Sequence, residues 1–131
     1  MDTELFYLAL AALLTALLWV PYILDRFVRW GLRDTVGYPL NPPAQSPWAV
    51  RLMRAHHNAV ENLVVFAALV LVAHAAGVSN EFTAGAAMVY FWARAVHVVA
   101  YVAAIPWVRT LAFVAGFCAQ VVLAWQVLVA G

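Results

Sequence analysis

The sequence predicts an all-α integral membrane protein, a bundle of four transmembrane helices in a single domain spanning residues 1–131. Of the 131 residues, 67% are hydrophobic and 10% charged, an apolar share well above that of an ordinary soluble domain. The apolar residues gather in four stretches, at 5–27, 47–76, 81–105 and 109–130, each long enough to cross a hydrocarbon core about 30 Å thick. Six Trp, five Tyr and seven Phe match the enrichment of aromatic side chains at membrane interfaces.

The first stretch, Leu5 to Phe27, is apolar nearly all round until Asp25 and Arg26. Its leading residues are acidic where a secretory leader would be basic, and a small-residue cleavage signal is missing before Pro21. These features predict a retained span. Pro21 lacks a backbone donor, so a kink or loosening is expected near the far end of this span. Residues 29 to 47 hold Gly31, Gly37, Pro42, Pro43 and Pro47 and read as the one long connection.

Ser46 stands as an N-cap with Pro47 at the first helical position of the second span, where a missing N–H is harmless. This span opens with the most polar run in the chain, RLMRAHHNAVEN at 51–62, and continues into LVVFAALVLVAHAAG without a full charge. At 100° per residue Arg51, Arg54, Asn58 and Glu61 fall within about a quarter of the helix circumference, with His57 on one edge of the stripe and Asn62 on the other. Glu61 lies about 15 Å along the axis from Arg51. A carboxylate facing lipid at that depth costs on the order of 3 kcal/mol, so a partner or a water-filled cleft is expected.

The third span opens after Ser79 and Asn80 with small residues that permit close helix approach. It then places Arg94, His97 and Tyr101 on one face at spacings of three and four. Arg94 is the natural partner for Glu61, since both lie inward from the same side by comparable distances. The fourth span starts at Arg109 or Thr110, with Gly116 and Ala119 as close-contact positions.

Charge placement gives an orientation. Arg26, Arg29, Arg33, Arg51 and Arg54 flank the first connection and Arg109 flanks the third, whereas the N-terminal tail carries Asp2 and Glu4. The bias of arginine toward the cytoplasm places both termini outside and the first and third connections inside. Both polar stripes then converge at the cytoplasmic side with Arg109, describing a pocket for an anionic, hydrogen-bonding molecule.

Other function classes find little support. A formal net charge of +1 without an exposed basic patch is no nucleic-acid footprint. The single Cys118 permits neither an intramolecular disulfide nor a cysteine zinc cluster. The histidines form no metal-ligand set, and there is no glycine-rich phosphate loop.

Three runs make the chain resemble a known family. RxxRAxxNxxEN at 51–62, RxxHxxxY at 94–101 and PxxRTLxFxxG at 106–116 are similar to the MAPEG family, membrane-associated proteins in eicosanoid and glutathione metabolism, in a bacterial-type form. The resemblance implies a four-helix protomer in a homotrimer of the bacterial inner membrane, with glutathione held between protomers near the cytoplasmic side. It implies that Arg54, Asn58 and Glu61 belong to the glutathione pocket, with Arg51 near its entrance and His57 beside it. Arg94, His97 and Tyr101 match the set on the third span, and Arg109 matches the arginine that stabilises the glutathione thiolate in catalytic members. His57 stands where eicosanoid-producing members often carry arginine, and Phe113 where several catalytic members carry tyrosine. These departures point away from a named eicosanoid synthase. They leave a transferase or peroxidase acting on a lipophilic electrophile, a non-catalytic lipid- or glutathione-binding protein, or a small transporter.

Overall fold

The computed structural model describes residues 1–130, and its regular structure is all helical. The elements are α1 (Thr3–Leu17), α2 (Trp19–Val36), α3 (Pro47–Ala75), α4 (Glu81–Val102) and α5 (Pro106–Trp125), followed by a π-helical turn at Gln126–Ala130. They give four segments long and apolar enough to cross a membrane: Thr3–Val36, Pro47–Ala75, Glu81–Val102 and Pro106–Val129.

α1 and α2 are one span broken at Leu18, nearer its middle than its end. The proline lies three residues downstream, but its ring crowds the carbonyl four residues before it, at Leu17, and removes that carbonyl's donor. Leu18 N–H instead reaches Thr15 O at 3.4 Å, while the Thr15 hydroxyl donates to Ala11 O at 2.8 Å, a back-bond that also bends helices. The helix then continues past Phe27 into the expected connection. Gly31, at φ +79°, interrupts it, and a last helical turn runs to Val36 before the prolines begin.

Ser46 does not cap α3 with its side chain. Its hydroxyl donates to Asp25 Oδ1 at 2.6 Å and its backbone N–H to Asp25 Oδ2 at 3.0 Å. Arg29 donates to the same hydroxyl at 2.9 Å, and Gln45 Nε2 donates to Tyr22 O at 2.9 Å. A buried carboxylate on α2 therefore fastens the proline-rich connection back onto the helix that precedes it.

α4 is the centre of the bundle, touching α1, α3 and, most extensively, α5. Its start is a capping box in which Asn80 Oδ1 accepts from the N–H groups of Phe82 and Thr83 while Thr83 Oγ1 accepts from Asn80 N–H. The Thr83 hydroxyl donates in turn to Glu4, a buried carboxylate on α1 that also accepts from Ser79 Oγ at 3.1 Å. A negative charge there also suits the positive end of the α4 dipole. At its other end α4 stops in a Schellman turn. Ala104 sits at φ +60°, Ile105 N–H bonds Ala100 O at 2.8 Å and Ala104 N–H bonds Tyr101 O at 3.2 Å, an arrangement usually given to glycine. α5 begins with Pro106 at its first turn, three residues before Arg109.

Two apolar clusters hold the helices. One centres on Phe66 stacked on Tyr90, ring centroids 3.8 Å apart, with Ala87, Ala119 and Leu123 around them. The other joins Leu18 and Tyr22 to Ala49, Leu52, Ala55 and Val98. Asn58, Arg94 and His97 fall where the two clusters meet.

Candidate functional site

At that junction α3, α4 and the start of α5 enclose a cleft of about 290 Å³ lined by Asn58, His97, Tyr101, Arg109, Thr110 and Phe113. The helical spacing explains the set. His97 and Tyr101 are one turn apart on α4, Arg109 and Phe113 one turn apart on α5, and the tight turn at Ala104 brings the second pair opposite the first. His97 lies 5.7 Å from the Tyr101 ring and 6.2 Å from the Phe113 ring, centroid to centroid. The Arg109 guanidinium carbon sits 5.0 Å from the Tyr101 ring centroid, within range of a cation–π contact that holds the charge in place.

Behind the cleft lies Arg94, 3% exposed, whose Nη2 donates to Asn58 Oδ1 at 2.6 Å. With that oxygen facing a guanidinium, the Asn58 amide N–H groups are the ones left for a ligand; the reverse orientation would set donor against donor. Asn62 Nδ2 donates to Asn58 O at 2.9 Å, and Gln120 Nε2 to Asn62 O at 3.2 Å, so α5 steadies this part of α3. Two buried nitrogens, Arg94 Nε and His97 Nδ1, have no hydrogen-bond partner among the described residues. The cleft lining contains donors, aromatic rings and a fixed cation but no carboxylate, a combination that fits an anionic molecule rich in hydrogen-bond acceptors.

The candidate residues on α3 divide. Arg51 donates from Nε to Val102 O at 2.9 Å, satisfying a terminal carbonyl of α4 and placing a cation at that helix's negative end. It lines a separate dimple of about 180 Å³ that shares Tyr101 and Arg109 with the cleft. Arg54, His57 and Glu61 are exposed and do not line the cleft. The expected Glu61–Arg94 pair is not formed within the chain, where Arg94 takes Asn58 instead. Glu61 is three residues beyond Asn58, which turns it about 60° around the helix and away from α4.

Sequence reasoning missed Thr110, which it took only as a helix start, and the Tyr22–His56 contact, Oη to Nδ1 at 2.7 Å, which ties α2 to α3 beside the polar run. Thr110 had a signal in its place next to Arg109 at the head of a helix. His56 had none, because it falls on the side of α3 opposite the polar stripe, beside the apolar residues Ala49 and Leu52. Among the described residues no cluster of three or more His, Cys, Asp or Glu side chains suits a metal ion.

The model of the MAPEG family matches residues 5–129. No curated protein and no solved structure matches the chain.

Proposed function

The chain belongs to the MAPEG family, and from that premise we propose that it is a glutathione-dependent membrane transferase or peroxidase acting on a lipophilic electrophile. The observation that carries the proposal is the acid-free, donor-rich cleft that joins Asn58, His97, Tyr101 and Arg109. Glutathione bound there supplies a thiol as nucleophile. Arg109 favours its thiolate with a fixed positive charge. Asn58 and Tyr101 offer hydrogen bonds to the peptide groups, and His97 Nδ1 is a buried nitrogen in need of a partner. Phe113 closes one wall without a hydroxyl, and an acceptor dissolved in the bilayer reaches the thiolate laterally.

A cleft of about 290 Å³ is at the bottom of the range of roughly 300–1,000 Å³ for sites that bury a drug-sized ligand, so one protomer offers part of the site. Arg54 and Glu61, two full charges exposed on an otherwise apolar span, have no ion-pair partner among the described residues. A neighbouring protomer in a homotrimer would supply one and would bring Arg54, His57 and Glu61 to the ligand from the far side. Arg54→Gln is expected to weaken glutathione binding in the lipid-embedded assembly tenfold or more, the worth of a charge-assisted hydrogen bond of about 1.5–3 kcal/mol. Calorimetric titration, with native mass measurement to verify the trimer, reads this directly. No heat of binding in wild-type trimers would remove glutathione from the proposal. Binding without thiolate absorbance or turnover across several acceptor classes would instead favour the non-catalytic alternative.

The proposed orientation in the bacterial inner membrane keeps both termini outside, with the 37–46 and 103–105 connections in the cytoplasm. Single cysteines introduced at 38–44 in a Cys118→Ala background should resist an impermeant maleimide added to intact spheroplasts. Labelling before lysis would reverse the topology.

A further inference from the structure

The outer face of the α4–α5 pair carries a groove that the cleft does not explain. Near the tight turn it is a channel of about 280 Å³ floored by Ala95, Ala100 and Val108. It shares Trp92, Val96 and Val108 with a second segment of about 480 Å³, and that segment shares Val89 and Ala115 with a third of about 450 Å³ reaching Glu81. The groove is continuous because small residues line the seam, Ala93, Ala112 and Ala115, while Trp92 at 58% exposure and Val96 at 45% stand as its rim. At the turn it meets the Arg51–Arg109 dimple, with which it shares Ala100 and Ile105. The dimple holds two cations and no carboxylate.

We infer that this composite surface binds an anionic phospholipid of the leaflet on the arginine-rich side. Its phosphate is held by Arg51 in the dimple, with Arg109, which faces the cleft, adding only its positive field, and one acyl chain lies along the α4–α5 groove. Charge complementarity selects the head group, since Arg51 spends only Nε on Val102 O and keeps its terminal nitrogens for a phosphate oxygen. Length selects the tail. From Trp92 to the end of α4 at Val102 is ten residues, about 15 Å at 1.5 Å per residue, which matches one leaflet's half of a hydrocarbon core about 30 Å thick. A second copy's helix would fill the apolar groove but would not account for the acid-free pair of cations at its end. The inference does not rest on glutathione chemistry and is tested without it.

The test reconstitutes the full chain, without glutathione, in vesicles of phosphatidylcholine doped with either phosphatidylglycerol or phosphatidylcholine of the same brominated acyl chain. Trp92 fluorescence is read as the difference between wild type and Trp92→Phe. Brominated phosphatidylglycerol is expected to quench the Trp92 component at least twofold more than brominated phosphatidylcholine. The excess should vanish in Arg51→Gln, which loses the head-group contact, and in Ala95→Phe, which fills the channel floor. Circular dichroism confirms that each variant is folded, and a second channel filler, Val99→Trp on the exposed rim, stands in if Ala95→Phe is not. Equal quenching by the two lipids, or an excess that survives both Arg51→Gln and the channel filler, overturns the inference. The glutathione reading is unaffected by that outcome.

Discussion

Arg109→Ala is expected to lower turnover with a lipophilic electrophile by about 100- to 1,000-fold, the loss seen when one fixed group that stabilises developing or resident negative charge is removed. Glutathione affinity should change much less. The reason lies in what Arg109 touches: its guanidinium carbon sits 5.0 Å over the Tyr101 ring in the cleft, where the proposed thiolate would lie, whereas on the same proposal the peptide groups would be held by Asn58 and Tyr101. A neutral side chain cannot replace it, because only a cation favours the thiolate over the thiol. Arg109→Lys keeps the charge but loses the flat stacking on the ring, so it should recover part of the rate. Thiolate absorbance at fixed pH, measured beside kcat and glutathione affinity, separates this from an interfacial role. An arginine that merely anchors the head of α5 among lipid head groups would leave both thiolate and kcat intact when removed.

The second large effect concerns stability. Asn58→Leu removes the acceptor at 2.6 Å from Arg94 Nη2 and leaves a guanidinium that is 3% exposed facing hydrocarbon. Removing the neutral partner of a hydrogen bond to a buried charged group typically costs about 1.5–3 kcal/mol. Adding Arg94→Met should restore much of that loss, since the methionine needs no acceptor and fills similar volume. Unfolding in mixed micelles by titration with a denaturing detergent gives the four free energies of the cycle. A coupling of about 0.5–3 kcal/mol is expected for residues in contact; strictly additive losses would mean that the contact contributes nothing.

The spans, the polar face of the third and the small-residue seam were all legible, because each is a repeat of 3.6 residues written into one helix. His97 and Tyr101 could be grouped from their helical spacing, and Arg109 joined them through the arginine bias that set the head of the fourth span on the same side. The partner of Arg94 could not. Glu61 and Asn58 lie on the same stripe, and the choice between them depends on the rotation of α3 about its own axis, which is fixed by the single face that carries Ala55, Ala59 and Phe66 into the two apolar clusters. The role of Asp25 was hidden for a different reason. A lone carboxylate at the end of an apolar run reads as an interfacial residue, and only the folded-back connection reveals that Ser46 and Gln45 surround it. Ala104 gave no signal at all, since an alanine with left-handed backbone is selected by its surroundings rather than by its own preference.

The contact between Glu4 and the head of α4 joins residues 79 positions apart. A chain threaded into a bilayer from its N-terminus has produced α1 long before Ser79 and Thr83 exist, and through that interval the carboxylate must remain hydrated at the surface. Its burial therefore comes late, when the third span arrives and delivers two hydroxyls and a helix end together. Closure of this latch fixes the register of α1 against α4, so that a helix which also packs on α3 is locked by a span made after both.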